Sequence, residues 1–483
     1  MLFNSFSFVA LFLPLVWICY CISLYFERKK ITILILVLFS VVFYLAYSKM
    51  LFVLLLSSVA INYLCGNIIY LLENSSSKKV ALTVGIALNL AILFNFKYMV
   101  DISQLNSGFA TNVAIPLGIS FYTFQQISYL IDLFKKKLAA PDFMSYLLYV
   151  IFFPQLIAGP LVRAAPFFSQ LNAQKFLTVD WQGVAKGLSL FALGLSKKVL
   201  IADQLAVHTS PLFETLKNEP LHPFSLFTLA IAFGAQLYFD YSGYSDMAVG
   251  LGRFFNIDLP VNFYSAPKAT NIAAFWQRWH ITISHFCRDY FYYPLVKKYN
   301  FFGSRYIFAS LTILLLGIWH GAGFNFLIYA IIHIIFFSTF MIFRRIWPIN
   351  QRRRYEALQK VLGRALTTFC VSGAALLFYL PEPKHILNLA NSFSLFSVST
   401  QAGLDAVLFN SNLEFWYLIL LAYFIGHTMP NSIEIVLENK AIKFAGQKIF
   451  WNANWLWGFV TIIAFILCAF HFSDSREFIY YAF

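Results

Sequence analysis

The chain has 483 residues, 60% of them hydrophobic and only 12% charged, with a formal net charge of +14. A soluble globular domain carries about 25% charge, so this balance excludes an ordinary water-soluble enzyme and points to an integral membrane protein. The positive excess lies in short connections between apolar runs, where topology signals belong, which makes a nucleic-acid surface the weaker reading.

The apolar runs are long and continuous, as membrane helices require, and lack the short alternation of barrel strands. Cys19, Cys21, Cys65, Cys287, Cys370 and Cys468 lie in or beside apolar segments without metal-ligand spacing. They are assigned to packing, and no metal site is expected. The first run, Phe6 to Phe26, has no basic leader or small-residue cleavage site and is followed by Glu27, Arg28, Lys29 and Lys30. It is expected to remain as a helix with its N-terminus outside. Ile31 to Tyr47, Met50 to Leu72 and Val80 to Val100 are long enough to cross.

From Val113 to Val150 the pattern breaks at Pro116, Gly118, Gln125, Gln126, Asp132 and Lys135 to Lys137. Re-entrant or tilted helices lining a cavity and an ordinary helix with a loop both fit, and Phe152 to Pro160 carries the same ambiguity. Arg163, Lys197 and Lys198 suit a cytosolic rim. The run Phe224 to Ile257 exceeds one crossing and holds Asp240, Tyr244 and Asp246 in its middle. The favoured expectation is a broken helix whose polar turn lines the active cavity, with Asp240 or Asp246 orienting Arg278 or His280. A helix ending at an interface with solvated aspartates is the alternative.

Two blocks interleave polar, basic and aromatic residues inside this apolar sequence: FWQRWHITISHFCRDYFYYP, Phe275 to Pro294, and IWHG, Ile318 to Gly321. If the first is helical, Trp276, His280, Ser284 and Arg288 recur every four residues and share one face, flanked by Arg278 and Trp279. His320 ends an apolar run and is followed by Gly321 and Gly323, which permit a helix end within the membrane. The connection Arg344 to Arg364 has seven basic residues against Glu356 and is expected in the cytosol. Counting back, Tyr306 to His320 starts at the cytosolic side and rises about 22 Å, short of the ~30 Å hydrocarbon core. His320 is therefore expected inside the membrane, with His280 towards the cytosol.

Beyond Arg364 the chain is expected to cross outward to Leu380, run externally over Pro381 to Asn412, and return at Leu413 to Ile425. Lys440, Lys443 and Lys448 then mark a cytosolic connection, and Trp455 to Phe470 exits. Both termini are expected to be extracytoplasmic. The fold expected is an all-α polytopic membrane protein, a single domain of about a dozen transmembrane or re-entrant helices around a central catalytic cavity.

The two blocks resemble the signature of the membrane-bound O-acyltransferase family, in the bacterial branch that O-acetylates alginate and peptidoglycan. LPLVWICY, PLGISFYTFQQISYLID, FFPQLIAGPLVR, GLSKKVLIAD, FDYSGYSDMAVGLG, LPVNFYSAP and the C-terminal FIYYAF extend the resemblance in order along the chain. Val296, Lys297 and Lys298 stand where a glycine pair is usual, and Phe324 and Tyr329 replace tryptophans usual after WHG. The resemblance implies that His320 is the signature membrane histidine, His280 its cytosol-facing companion, and Tyr480 the tyrosine of a C-terminal acyl-relay motif. An aromatic interfacial anchor is the other reading of Tyr480.

The resemblance also implies acetyl-CoA as donor substrate, with no permanently bound cofactor. Lys268, Arg278 and Arg288 are candidates to meet its phosphates. An extracytoplasmic SGNH-type partner and an envelope polysaccharide would complete the reaction, in the bacterial inner membrane. A teichoic-acid or lipid acyltransferase is the alternative within the enzyme class. A transporter or flippase without covalent chemistry is the alternative outside it. Most of His208, His222, His285, His333, His385, His427 and His471 are read as interfacial or satisfied core residues.

Overall fold

A computed structural model describes residues 2–99, 116, 118–347, 356–394, 413–444, 447–472 and 476–479. Among the described residues it is mostly helical, and its strands form a short antiparallel hairpin, Ile442–Phe444 with Gln447–Ile449. Five helical segments among the described residues are long and apolar enough to cross a membrane: Ser7–Tyr25, Lys49–Leu71, Ser75–Met99, Phe324–Ile346 and Glu356–Tyr379. Ser304–His320, Leu413–Thr428 and Trp455–Ala469 are shorter apolar helices. The chain is thus an all-α membrane protein with several candidate spans.

The residues fall into two compact units. One comprises the chain up to Leu195, Tyr244–Val261 and the segment from Asn452 onward. Its core is aromatic: Phe8, Phe12, Phe43 and Phe153 lie with ring centroids 5.4–6.2 Å apart, and Phe255 adds to Phe153 at 5.8 Å. Within it the chain from Phe152 to Val162 is non-helical yet buried. Its polar groups are met by protein: Ser40 Oγ accepts from Phe153 N–H at 3.2 Å, and Tyr149 Oη donates to Val162 O at 3.1 Å. Irregular backbone among apolar residues is tolerated on that condition. Gly118, at φ +72°, allows the close approach, since a Cβ there would lie 2.3 Å from Leu156 O. The helices on either side are Ile119–Phe134 and Phe143–Ile151.

The other unit comprises Ser196–Gly243 and Asn262–Trp451. The division between units falls inside the Pro223–Phe254 helix, which runs unbroken for 32 residues, about 48 Å at 1.5 Å per residue. The expected break at Asp240 to Asp246 is therefore absent. The polar residues need no unwound turn, because side chains from elsewhere in the sequence satisfy them inside the helix. Gln236 accepts from Thr209 Oγ1 at 2.6 Å, and Asp240 accepts from Lys198 Nζ at 2.5 Å.

Lys198 also pairs with Asp203 at 2.8 Å, and all three groups are buried. Lys198 is thus an interior cation and not the rim residue expected from sequence. Asp240 pairs with this lysine.

The helices Ser304–His320 and Phe324–Ile346 pack through small residues: a Cβ on Gly317 would lie 2.4 Å from that of Ala330 and 2.9 Å from Phe326 O. Gly317→Val is expected to force them apart and lower stability by about 1–3 kcal/mol or more. The thermal midpoint of the purified protein checks this; an unchanged midpoint would mean that the crossing relaxes freely.

Candidate active site

The first polar block is not one helix. Ile272–Trp276 and Ile281–Cys287 are separate helical turns, and His280 between them has φ +45°. The chain turns there because it bonds to the preceding segment: Tyr264 N–H donates to Arg278 O and Ile281 N–H to Asn262 O, both at 2.9 Å. Trp276, His280, Ser284 and Arg288 therefore do not line a single helix face. The period-four spacing was real but could not reveal that Asn262 competes for the backbone.

The break turns the His280 ring inward, where it is 3% exposed. Asn262 Oδ1 accepts from Thr282 N–H at 3.2 Å and from Thr282 Oγ1 at 2.8 Å, which identifies it as the amide oxygen. His280 Nδ1, 3.2 Å from that oxygen, therefore carries the proton, and Nε2 accepts from the Tyr241 hydroxyl at 2.7 Å. Burial lowers the imidazole pKa to about 3, so it is neutral. A histidine whose two nitrogens are held in this way is suited to positioning Tyr241 and its own neighbours. Tyr241 and Asn262 join the candidate site through these bonds, and spacing did not single them out, since both lie outside the two blocks.

His320 ends the Ser304–His320 helix, 8% exposed, with Gly321 extended behind it. A Cβ on Gly321 would lie 2.4 Å from the Phe326 ring, so glycine lets the chain turn tightly against that ring. Aromatic rings surround the imidazole: Trp319 at 4.9 Å, Phe378 at 5.0 Å, Tyr329 at 6.0 Å and Phe326 at 6.1 Å between centroids. Trp319 also lies 6.0 Å from His280. The two blocks thus meet at one tryptophan, which lies beside both histidines.

The other expected residues have neighbours of their own. Trp279 stacks on Phe275 at 5.3 Å and meets Phe263 edge-on at 4.9 Å. Trp276 lies 5.2 Å from His333, and the buried Ser284 Oγ has no hydrogen-bond partner among the described residues. Arg288 forms a two-point ion pair with Asp289, at 2.7 and 3.3 Å, which occupies its guanidinium locally. Tyr244 and Asp246 are buried and belong to the first unit, where the Tyr244 ring stacks on Phe3 at 4.9 Å and meets Phe478 at 4.5 Å. Tyr480 lies outside the described residues. Among the described residues no group of three or more His, Cys, Asp or Glu side chains is placed to hold a metal.

Lys268 and Arg278 sit in a charged network of the second unit. Lys268 donates to Met429 O at 2.6 Å and lies 3.7 Å from Glu434; burial, then the neighbouring Lys440, Arg278 and Arg364, lower its pKa against the pull of Glu434. Burial by itself would raise Glu434. Its bonds from Lys440 Nζ at 2.5 Å, Asn431 N–H at 2.9 Å and Ser265 Oγ at 2.8 Å, with the Lys268 charge, outweigh that and lower it to about 2.

A depressed carboxylate stabilises the fold above its unfolded pKa and loses that contribution on acidification. The thermal midpoints of wild type and Glu434→Gln are therefore expected to differ at pH 7 and converge as the pH falls from 4.5 towards 2. A pH-independent gap would contradict this assignment.

Residues 6–380 match the model of the membrane-bound O-acyltransferase family. The chain is 34% identical to the peptidoglycan O-acetyltransferase of Helicobacter pylori, over 76% of this chain and 75% of that one. It is 36% identical to the probable alginate O-acetylase AlgI of Pseudomonas aeruginosa, over 69% of this chain and 64% of that one. A teichoic acid D-alanyltransferase of Streptococcus thermophilus is more distant, 27% identical over 45% of this chain. The chain belongs to the membrane-bound O-acyltransferase family, as a multi-pass membrane enzyme.

Proposed function

We propose that this enzyme takes acetyl from cytosolic acetyl-CoA and passes it across a bacterial inner membrane, through an extracytoplasmic SGNH-type partner, to hydroxyls of an envelope polysaccharide. The observation that carries the reading is His320, a buried imidazole closing an apolar helix inside an aromatic shell, with His280 fixed beside the same Trp319. The names of the relatives favour a peptidoglycan-like or alginate-like acceptor. The weaker match to the D-alanyltransferases makes teichoic acid the second choice. Membership of an acyltransferase family sets the transporter alternative aside.

In this mechanism residues 275–321 hold the catalytic blocks and 478–483 the relay. His320 removes the hydroxyl proton of Tyr480 as its oxygen attacks the thioester carbonyl. The C–O bond forms, the C–S bond breaks, and the proton leaves with the thiolate as free CoA. The tyrosyl ester then passes its acetyl to the partner and regains a proton. His280, Arg278 and Trp279 position the donor, with both termini extracytoplasmic and the shorter helices completing about a dozen crossing or re-entrant pieces. Phe478 and Ile479, just before the relay tyrosine, are buried.

The test is transfer of labelled acetyl from acetyl-CoA in oriented proteoliposomes, with the partner and polysaccharide on the opposite face. Label on the polysaccharide that depends on all three components is expected. Its absence, with CoA intact, would overturn the proposal.

A further inference from the structure

His333 lies on the Phe324–Ile346 span and is 0% exposed, yet neither of its ring nitrogens has a hydrogen-bond partner among the described residues. Trp276 Nε1 is likewise buried without one, and the two rings are 5.2 Å apart. Tyr329, one helical turn before His333, lies 4.4 Å from its ring and 6.0 Å from His320. Phe336 closes the other side at 5.8 Å. Three hydrogen-bonding nitrogens therefore share one apolar setting beside the reacting histidine. Buried polar groups left unpaired oppose folding, so their retention points to a guest that pairs them.

The chemistry of the pair specifies the guest. Indole Nε1–H only donates, whereas a neutral imidazole offers one donor and one acceptor. A secondary amide needs one donor for its oxygen and one acceptor for its N–H, and its flanking methylenes suit the aromatic walls. We propose that Trp276 and His333 form a subsite for a secondary amide of a substrate, with the amide oxygen on Trp276 Nε1–H and its N–H on His333. The inference rests on the acetyl-transfer reading. Within that reading such an amide has two sources: the pantetheine arm of the donor, or an N-acetyl group on the acceptor sugar.

The experiment uses full-length protein in nanodiscs, comparing wild type with His333→Phe and Trp276→Phe. Two thioesters are offered: S,N-diacetylcysteamine, which carries one secondary amide, and S-acetyl-2-mercaptoethanol, which carries none. Two acceptors are offered with the partner: an N-acetylated oligosaccharide and a uronic-acid oligosaccharide.

If the donor is the source, wild type prefers the amide-bearing thioester through a lower KM. Both variants lose at least tenfold of that preference, read as the ratio of kcat/KM for the two thioesters. If the acceptor is the source, the variants instead lose the preference for the N-acetylated acceptor, and the thioester preference survives.

Either loss supports the subsite. Unchanged preferences in both arms, or a wild type without any, would overturn it. His333→Phe is expected to keep or raise the thermal midpoint without substrate, because it removes two unpaired nitrogens; a merely structural histidine predicts a fall. Turnover of acetyl-CoA by wild type, measured alongside, separates failure of this subsite from failure of the acetyltransferase reading.

Discussion

Replacing His320 with alanine is expected to reduce acetyl transfer by about 10²–10⁴-fold or more, the range for removal of a general base. The protein should remain folded. His320 occupies the last position of its helix, and the backbone turn behind it is set by Gly321. The imidazole contributes a limited share of a shell built mainly by Trp319, Phe326, Tyr329 and Phe378. A monodisperse elution profile and a nearly unchanged thermal midpoint, with thioester consumption lost, would match. Retained turnover would remove His320 from the mechanism. His280→Ala should act differently: it deprives the Tyr241 hydroxyl and the Asn262 amide of their shared partner, so lower stability should accompany lower activity.

The second large effect concerns a residue remote from the two blocks. Lys198→Met is expected to destabilise the protein by about 3–5 kcal/mol, because it leaves the carboxylates of Asp203 and Asp240 buried against each other without their cation. Replacing all three by apolar residues of similar size should recover much of the loss, since the cost comes from the unpaired charge and not from absence of the pair. Urea titration of the three proteins in one detergent distinguishes these cases. Asp240 precedes Tyr241, so the single variant should also disturb the hydroxyl that holds His280. Wild-type stability in Lys198→Met would show that the carboxylates find other compensation.

Membrane helices and the histidine of IWHG were legible in the sequence because both are local signals. An apolar run needs no knowledge of its neighbours, and a histidine closing such a run before Gly321 stands out by contrast. Features that depend on distant residues were not legible. Asp240 looked like a helix breaker only because Lys198, 42 residues earlier, is not visible as its partner.

The run from Trp276 to Arg288 looked like one helix because the backbone bond from Ile281 to Asn262 has no signature in spacing. From sequence His333 reads as an interfacial or satisfied core histidine. The available signal was its polarity within an otherwise apolar segment, the same contrast that marked His320.

The most direct test of the account is intact mass spectrometry of the purified enzyme after incubation with acetyl-CoA, comparing wild type, His320→Ala and Tyr480→Phe. The account predicts that wild type gains one acetyl group and both variants gain none. Wild-type protein that acquires no acetyl, and releases no CoA when partner and polysaccharide are supplied, would contradict it.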